Sequence, residues 1–288
     1  MNTLTTKQKI FNSPITKIIL SLLVCIIFVN IGQEITKKLL GLTSLDKNYR
    51  NLIKGVIVSI LAITSYTLFF KYYEKRKIIE LSFNKLARNL ILGTLIGIIL
   101  QSLTIFVMYV NGNFSVISVN PVSFIIIPIT IAFTVAIFEE ILIRGIVFRI
   151  IEEKLGSYYA LFISAALFGA LHLPNEGSTL FSALSVAIEA GLLLGMAFIY
   201  SRNLWFPIAL HFAWNFMQSG IFGAVTSGNQ KTDSLLVTKI QGPEILTGGE
   251  FGPEGSIQAM VFCIIATGIL LFFCHKENKI ILPYWKNK

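Results

Sequence analysis

Eight long apolar runs dominate the chain, at residues 15–31, 53–70, 90–110, 122–148, 158–173, 180–200, 204–222 and 257–273. Several carry few or no charges over about 18 residues, the length a helix needs to cross the hydrocarbon of a bilayer. In lipid every backbone N–H and C=O must be bonded within the protein, which leaves helices and closed barrels as the only spanning structures. No run alternates with the period of a barrel strand. The sequence therefore predicts an all-α integral membrane protein, a bundle of about eight transmembrane helices. Composition agrees: 54% of the residues are hydrophobic and 14% are charged, against roughly 25% charged in an average soluble domain. A disordered or fibrous chain is excluded on that ground, and a soluble enzyme is disfavoured.

The runs divide the chain into residues 1–121, with three helices and basic loops; 122–222, a core of helices four to seven; 223–255; and 256–288, a last helix with a basic tail. Residues 223–255 are rich in Gly, Ser and Thr and show no periodicity, which predicts a flexible extracytoplasmic loop. There is no internal repeat. The net charge of +9 would suit a nucleic-acid partner in a soluble protein. Here the basic residues lie between apolar runs, so they report topology and predict no nucleic-acid binding. With both termini cytoplasmic, sixteen Lys and Arg fall inside, among them Lys7, Lys9, Lys17, six in 71–88 and four in 276–288; seven fall outside, and Arg144 lies within a run. This predicts a multi-pass cell-membrane protein whose first partner is the lipid bilayer. The first run is read as a retained helix, because no small-residue cleavage pattern follows it. Cys25, Cys263 and Cys274 all lie in apolar runs and form neither a disulfide framework nor a CxxC site.

Charges within spans cost a few kcal/mol or more and are functional candidates by default. The ionisable residues inside the runs are Glu139, Glu140, Arg144, His172, Glu189 and His211. Glu140 and Arg144 are four apart and share a helix face, so they can pair; Glu139 points about 100° away and is left without a local partner. Such a desolvated carboxylate suits a general base, although both acids could equally sit in water at the cytoplasmic end of the helix. His172 ends an apolar helix just before Pro174, with Phe168 on its face, and reads as either an interfacial cap or a catalyst. His211 and Asn215 are four apart on one helix face, where a plain interhelical hydrogen bond of about 0.6–2 kcal/mol would also explain them. Glu189 stands alone.

Three polar patches on three helices should converge on one buried cavity. Such a set can hydrolyse an acyl bond: a Glu deprotonates water, a His helps to position it, and His and Asn donors stabilise the oxyanion. Alternatively Glu139, His172 and His211 are zinc ligands with one open position, although the HExxH motif of common metalloproteases is absent. No Ser, Cys or Lys stands out as a nucleophile.

The order Glu139-Glu140-x-x-x-Arg144, Phe168-x-x-x-His172 and His211-x-x-x-Asn215 on separate hydrophobic helices resembles the CPBP family, the CAAX prenyl protease type II and bacteriocin-processing enzymes also called the Abi family. Arg144-Gly145, Ser164, Leu204-Trp205 and Pro207-Ile208 fit the same pattern; Ile143 departs from it, where Phe is usual. The likeness covers residues 122–222. It implies an intramembrane glutamic-type endopeptidase with an eight-helix core. By that likeness Glu139 is the water-activating base and His172 assists it. His211 and Asn215 form the oxyanion hole, while Glu140 and Arg144 support the site. A metal-independent site with no cofactor is favoured, with zinc as the alternative. The Ile/Lys/Asn-rich composition looks bacterial, which points to a membrane-associated peptide or protein substrate. The rival readings are a non-catalytic membrane scaffold or bacteriocin self-immunity protein of the same fold, and a transporter, for which matched broken repeats are lacking.

Overall fold

The structure of the protein is a computed structural model, described over residues 11–286; Lys7, Lys9 and Lys288 lie outside the described residues. Helix α1 (Pro14–Gly41) starts from Ser13, whose side chain accepts from the Thr16 N–H, with Pro14 in the first turn where its missing N–H is harmless. Helices α2 (Lys47–Tyr73) and α3 (Leu86–Val110) follow. Strand β1 (Phe114–Val119) then leads to α4 (Ile126–Glu140), which continues without a break into a π-helical segment, Ile141–Phe148. Helix α5 (Arg149–Leu171) is next, then α6 (Leu180–Val186), joined through a π-helical segment, Ala187–Leu193, to α7 (Leu194–Ser201). Helix α8 (Trp205–Asn215) passes into a third π-helical segment, Phe216–Ile221. Strand β2 (Leu236–Ile240), a short α9 (Glu244–Thr247) and α10 (Ile257–Lys276) complete the chain.

Six helical stretches are long and apolar enough to cross a membrane. The multi-pass helical membrane protein expected from the sequence is thus what the chain forms, with six qualifying stretches where the sequence suggested about eight crossings. The difference arises in two places. Val122–Leu171 is one 50-residue helical stretch, broken only at Gly156 with φ 80° and ψ 172°. Gly156 is required there: its φ is positive, and a Cβ would stand 2.7 Å from the Ile281 carbonyl oxygen. Helix α8 with its π segment runs 11 and 6 residues, short of the roughly 18 a span needs by itself.

The helices run alternately between two ends. At the basic end Glu74 bonds Lys17 at 3.0 Å, Arg76 at 3.1 Å and Arg149 at 3.1 Å. Arg76 also pairs with Glu80 at 2.6 Å, and Tyr66 donates to Glu80. Arg202 pairs with Glu152 at 2.6 Å. Burial works against ionisation of Glu74, but Arg149, Lys17 and Arg76 overcome it and hold its carboxyl below the ordinary range; Arg76 and Tyr66 do the same for Glu80.

The opposite end corrects one expectation. The stretch 223–255, read from sequence as a flexible loop, is built: β2 pairs antiparallel with β1, with Phe114 opposite Ile240 and Val119 opposite Leu236. Phe251 is wholly buried and Glu254 nearly so. Both strands are short and rich in β-branched residues, and each finds its partner more than 110 residues away. No local pattern could announce that pairing.

Outward-facing Ile99, Ile264 and Phe272 are about half exposed, as befits side chains that meet lipid rather than a packed core. Inside, α3 lies against α8 at backbone contact. A Cβ on Gly93 would come 2.5 Å from the Phe206 carbonyl, and one on Gly97 would come 2.6 Å from that of Leu210. This small-xxx-small edge is how helices approach closely in lipid. It fixes α8, and with it His211.

Candidate active site

The three patches expected to converge do so. One cavity of about 880 Å³ is lined by Glu139, His172, His211 and Asn215, and also by Glu189. Glu140 and Arg144 are both wholly buried and lie behind its wall, outside the lining.

Glu139 and Glu140 end α4, and the π-helical segment begins at the next residue. Such segments insert a residue into the helix and re-aim the side chains around them. The other two π segments carry Glu189 and directly follow Asn215, so all three lie at the cavity. Across the segment after Glu140, Arg144 Nη1 donates to Glu140 Oε1 at 2.8 Å. Its Nη2 donates to the carbonyls of Ala190 and of Gly191, the latter at 3.2 Å. Arg144 thereby ties the end of α4 to the π segment between α6 and α7, and that segment packs closely on α5 at Gly191, where a Cβ would stand 2.7 Å from Ala165. The guanidinium also stands 5.0 Å from the Phe168 ring, a cation–π contact out of water. Glu140 is therefore not at a wet helix end, whereas Glu139 borders the cavity.

His211 reaches across from α8. Its Nδ1 lies 3.1 Å from Glu140 Oε1, and its Nε2 is 4.0 Å from Glu139 Oε2. Glu140 is thus held from two sides, while Glu139 is about one-third exposed and faces the cavity. His172 caps α5; its Nδ1 bonds the Phe168 carbonyl at 2.8 Å. A carbonyl can only accept, so Nδ1 carries the proton. In the neutral ring Nε2 is then an acceptor. Phe168 stacks on His172 with centroids 4.9 Å apart and meets His211 edge-on at 6.4 Å, which spaces the two imidazoles. Asn215 lies one turn beyond His211 on the same wall.

A zinc ion is the metal this residue set suggests. Among the described residues no three His, Cys, Asp or Glu side chains group closely enough to hold a metal ion. The Glu139, His172 and His211 set does not fit one as it stands.

Two parts of the site were not foreseen. Glu254, from the 223–255 stretch, lines the cavity. Its carboxylate accepts from Gln218 Nε2 at 2.8 Å, from Ser227 Oγ at 2.6 Å and from the Ser227 N–H. Burial pushes its carboxyl above the ordinary range, although Ser227, His172 and Gln218 pull it down. Gln218 in turn accepts from Gln101 Nε2 at 2.9 Å, with both amides wholly buried. The sequence scan weighed only ionisable groups inside apolar runs. Neutral amides at positions 101 and 218, and an acid between Pro253 and Gly255 just ahead of the last run, were the missed signals. Glu189 Oε1 is buried without a hydrogen-bond partner among the described residues.

The cavity thus gathers carboxylates, imidazoles and an amide among the helices of a multi-pass helical membrane protein. Residues 121–217 match the family described as type II CAAX prenyl endopeptidase Rce1-like, the likeness that the three motifs carry. The match covers about a third of the chain and contains all six motif residues from Glu139 to Asn215. No curated protein and no solved structure matches the chain.

Proposed function

We propose that the protein is an intramembrane endopeptidase that hydrolyses a peptide bond of a membrane-associated protein or peptide with a water activated by Glu139. One observation carries this reading: Glu139 faces the same cavity as His172, His211 and Asn215, while Glu140 is withheld from it by Arg144 and His211. Two adjacent carboxylates are thereby given different tasks, one structural and one free to exchange a proton.

In the reaction Glu139 takes a proton from water, and the resulting hydroxide attacks the peptide carbonyl. His172 Nε2 orients the water as an acceptor. The tetrahedral oxyanion receives hydrogen bonds from Asn215 Nδ2 and from His211, protonated on both nitrogens, through Nε2–H. Glu139 then returns its proton to the departing nitrogen as the C–N bond breaks, leaving a carboxylic acid and an amine, which together re-equilibrate to carboxylate and ammonium. Glu140 and Arg144 hold the His211 ring and the α4 backbone in place. No step requires a metal. The distribution of Lys and Arg supports both termini cytoplasmic, and the composition supports a bacterial source.

Comparison of the peptides in cells carrying the native protein or Glu139→Ala tests the reading. Fragments present only with the native protein are expected. Identical peptide pools, with both proteins at equal levels in the membrane, would overturn it in favour of a scaffold or self-immunity role.

A further inference from the structure

We infer that the site is entered from the extracytoplasmic face, and that its substrate is a membrane-anchored peptide cut within its outer-leaflet portion or on its extracytoplasmic flank. The inference rests on the proteolytic reading above, and on three observations about where the cavity opens.

The cavity has a closed floor. Toward the basic end it is sealed by Ile143, Leu193, Leu194 and Leu210, each no more than 6% exposed, and beneath them lie Phe148, Phe198 and Phe206, equally buried. Toward the other end its lining turns polar: Thr226, Ser227, Asn229, Gln230 and Lys231, all from the stretch after α8. Of these, Asn229, Gln230 and Lys231 are exposed to solvent. The mouth is therefore at the end that carries β1 and β2.

Charge gives the two ends different sides of the membrane. Among the described residues thirteen Lys and Arg lie at the basic end and seven at the mouth end. Lys and Arg in short loops are retained on the cytoplasmic side. The mouth then faces outward.

The third observation concerns lipid. Pro128, Ile131, Val135, Phe138, Glu139 and Leu142 form a stripe of α4 at three- and four-residue spacing along one cavity wall. Ile131 on this stripe is 46% exposed, so the wall carries apolar surface that the protein itself leaves uncovered. An apolar segment can reach the cavity along it without leaving the bilayer. Glu139 is thirteen residues beyond Ile126, roughly 20 Å at 1.5 Å per residue. An extended strand of about six residues bridges that depth. The substrate this fits has an apolar anchor and an extended or unwindable stretch on its outer side. A soluble peptide offered from the cytoplasm meets the closed floor instead.

Two measurements on the full-length protein in intact cells test this. Lys239→Cys on β2 and Lys77→Cys beyond α2 are both exposed, and the native Cys25, Cys263 and Cys274 are buried. With a membrane-impermeant maleimide, Lys239→Cys is expected to label in intact cells and Lys77→Cys only after lysis; the reverse pattern overturns the inference. Mapping the new termini that depend on Glu139 is expected to place them in the outer half of spans or on extracytoplasmic flanks. Termini on cytoplasmic flanks overturn it even if the labelling is as expected. Outward labelling with no Glu139-dependent termini removes the proteolytic reading, and the substrate assignment with it, while the outward opening stands.

Discussion

His211 Nδ1 lies 3.1 Å from Glu140 Oε1, and through that contact α8 is tied to the ion pair between the end of α4 and the π-helical segment that follows it. Arg144 occupies the same carboxylate oxygen at 2.8 Å. The second oxygen, Glu140 Oε2, is buried without a partner among the described residues. Glu140 is thus a structural hub, and the unburdened acid is its neighbour.

Glu139 should be the residue whose loss costs activity and little else. It is about one-third exposed, and His211 Nε2 stands 4.0 Å from its carboxylate. Glu139→Gln is expected to lower the cleavage rate by about 10²–10⁴-fold, the usual contribution of a general base. The thermal unfolding midpoint in detergent should stay near that of the native protein. His172→Ala and His211→Ala should also abolish processing. Normal processing in all three variants would contradict the mechanism.

The Glu140–Arg144 pair behaves differently. Removing one partner strands a buried charge, at a cost of about 3–5 kcal/mol. Arg144→Met is therefore expected to lower membrane yield and the unfolding temperature. Adding Glu140→Gln should restore part of that loss, because the orphaned carboxylate is gone, without restoring activity. A double variant less stable than Arg144→Met alone would show that the pair is not coupled in this way.

Gly97 tests whether backbone proximity sets the site. Gly97→Leu must push α3 from α8, since the obstructing atom is the Leu210 carbonyl 2.6 Å from the new Cβ and cannot turn aside as a side chain would. Overpacking of this kind costs about 1–3 kcal/mol. Activity should fall further than stability, because His211 rides on α8. Substitution of Gly41, which meets nothing within 4 Å, serves as the control.

Acid should weaken the basic end first. Glu74 and Glu80 are held below the ordinary carboxylate range, so their stabilisation is fully present above the unfolded value of about 4.3 and is lost as pH falls through their folded values. Thermal unfolding in detergent is expected to be flat from about pH 7 to 5 with respect to these groups and to decline below. Glu74→Gln should shrink the acid-dependent part of that decline.

Chelation separates the two water-activation schemes. Incubation of the active protein with a strong chelator is expected to leave cleavage unchanged. Stoichiometric zinc in the purified active protein, with activity lost on its removal and regained on its return, would overturn the Glu139-water scheme.

The sequence alone determined that the chain is helical and lives in lipid, because that follows from apolar run length and the rule that lipid offers no backbone partners. It also singled out Glu139, Glu140, Arg144, His172 and His211, since so few ionisable groups are tolerated inside spans. The four-residue spacing of Glu140 and Arg144 announced their ion pair, which is a local property of one helix. Tertiary structure decided the rest. The bond from His211 to Glu140 joins residues 71 apart. Glu254 enters the cavity from a stretch that carries no periodic signal, brought there by β1–β2 pairing and by Gln218, which in turn leans on Gln101. Long-range contacts of this kind depend on how helices pack, with Gly93 and Gly97 setting the distance. A sequence read one helix at a time records the residues that meet, but not the packing that brings them together.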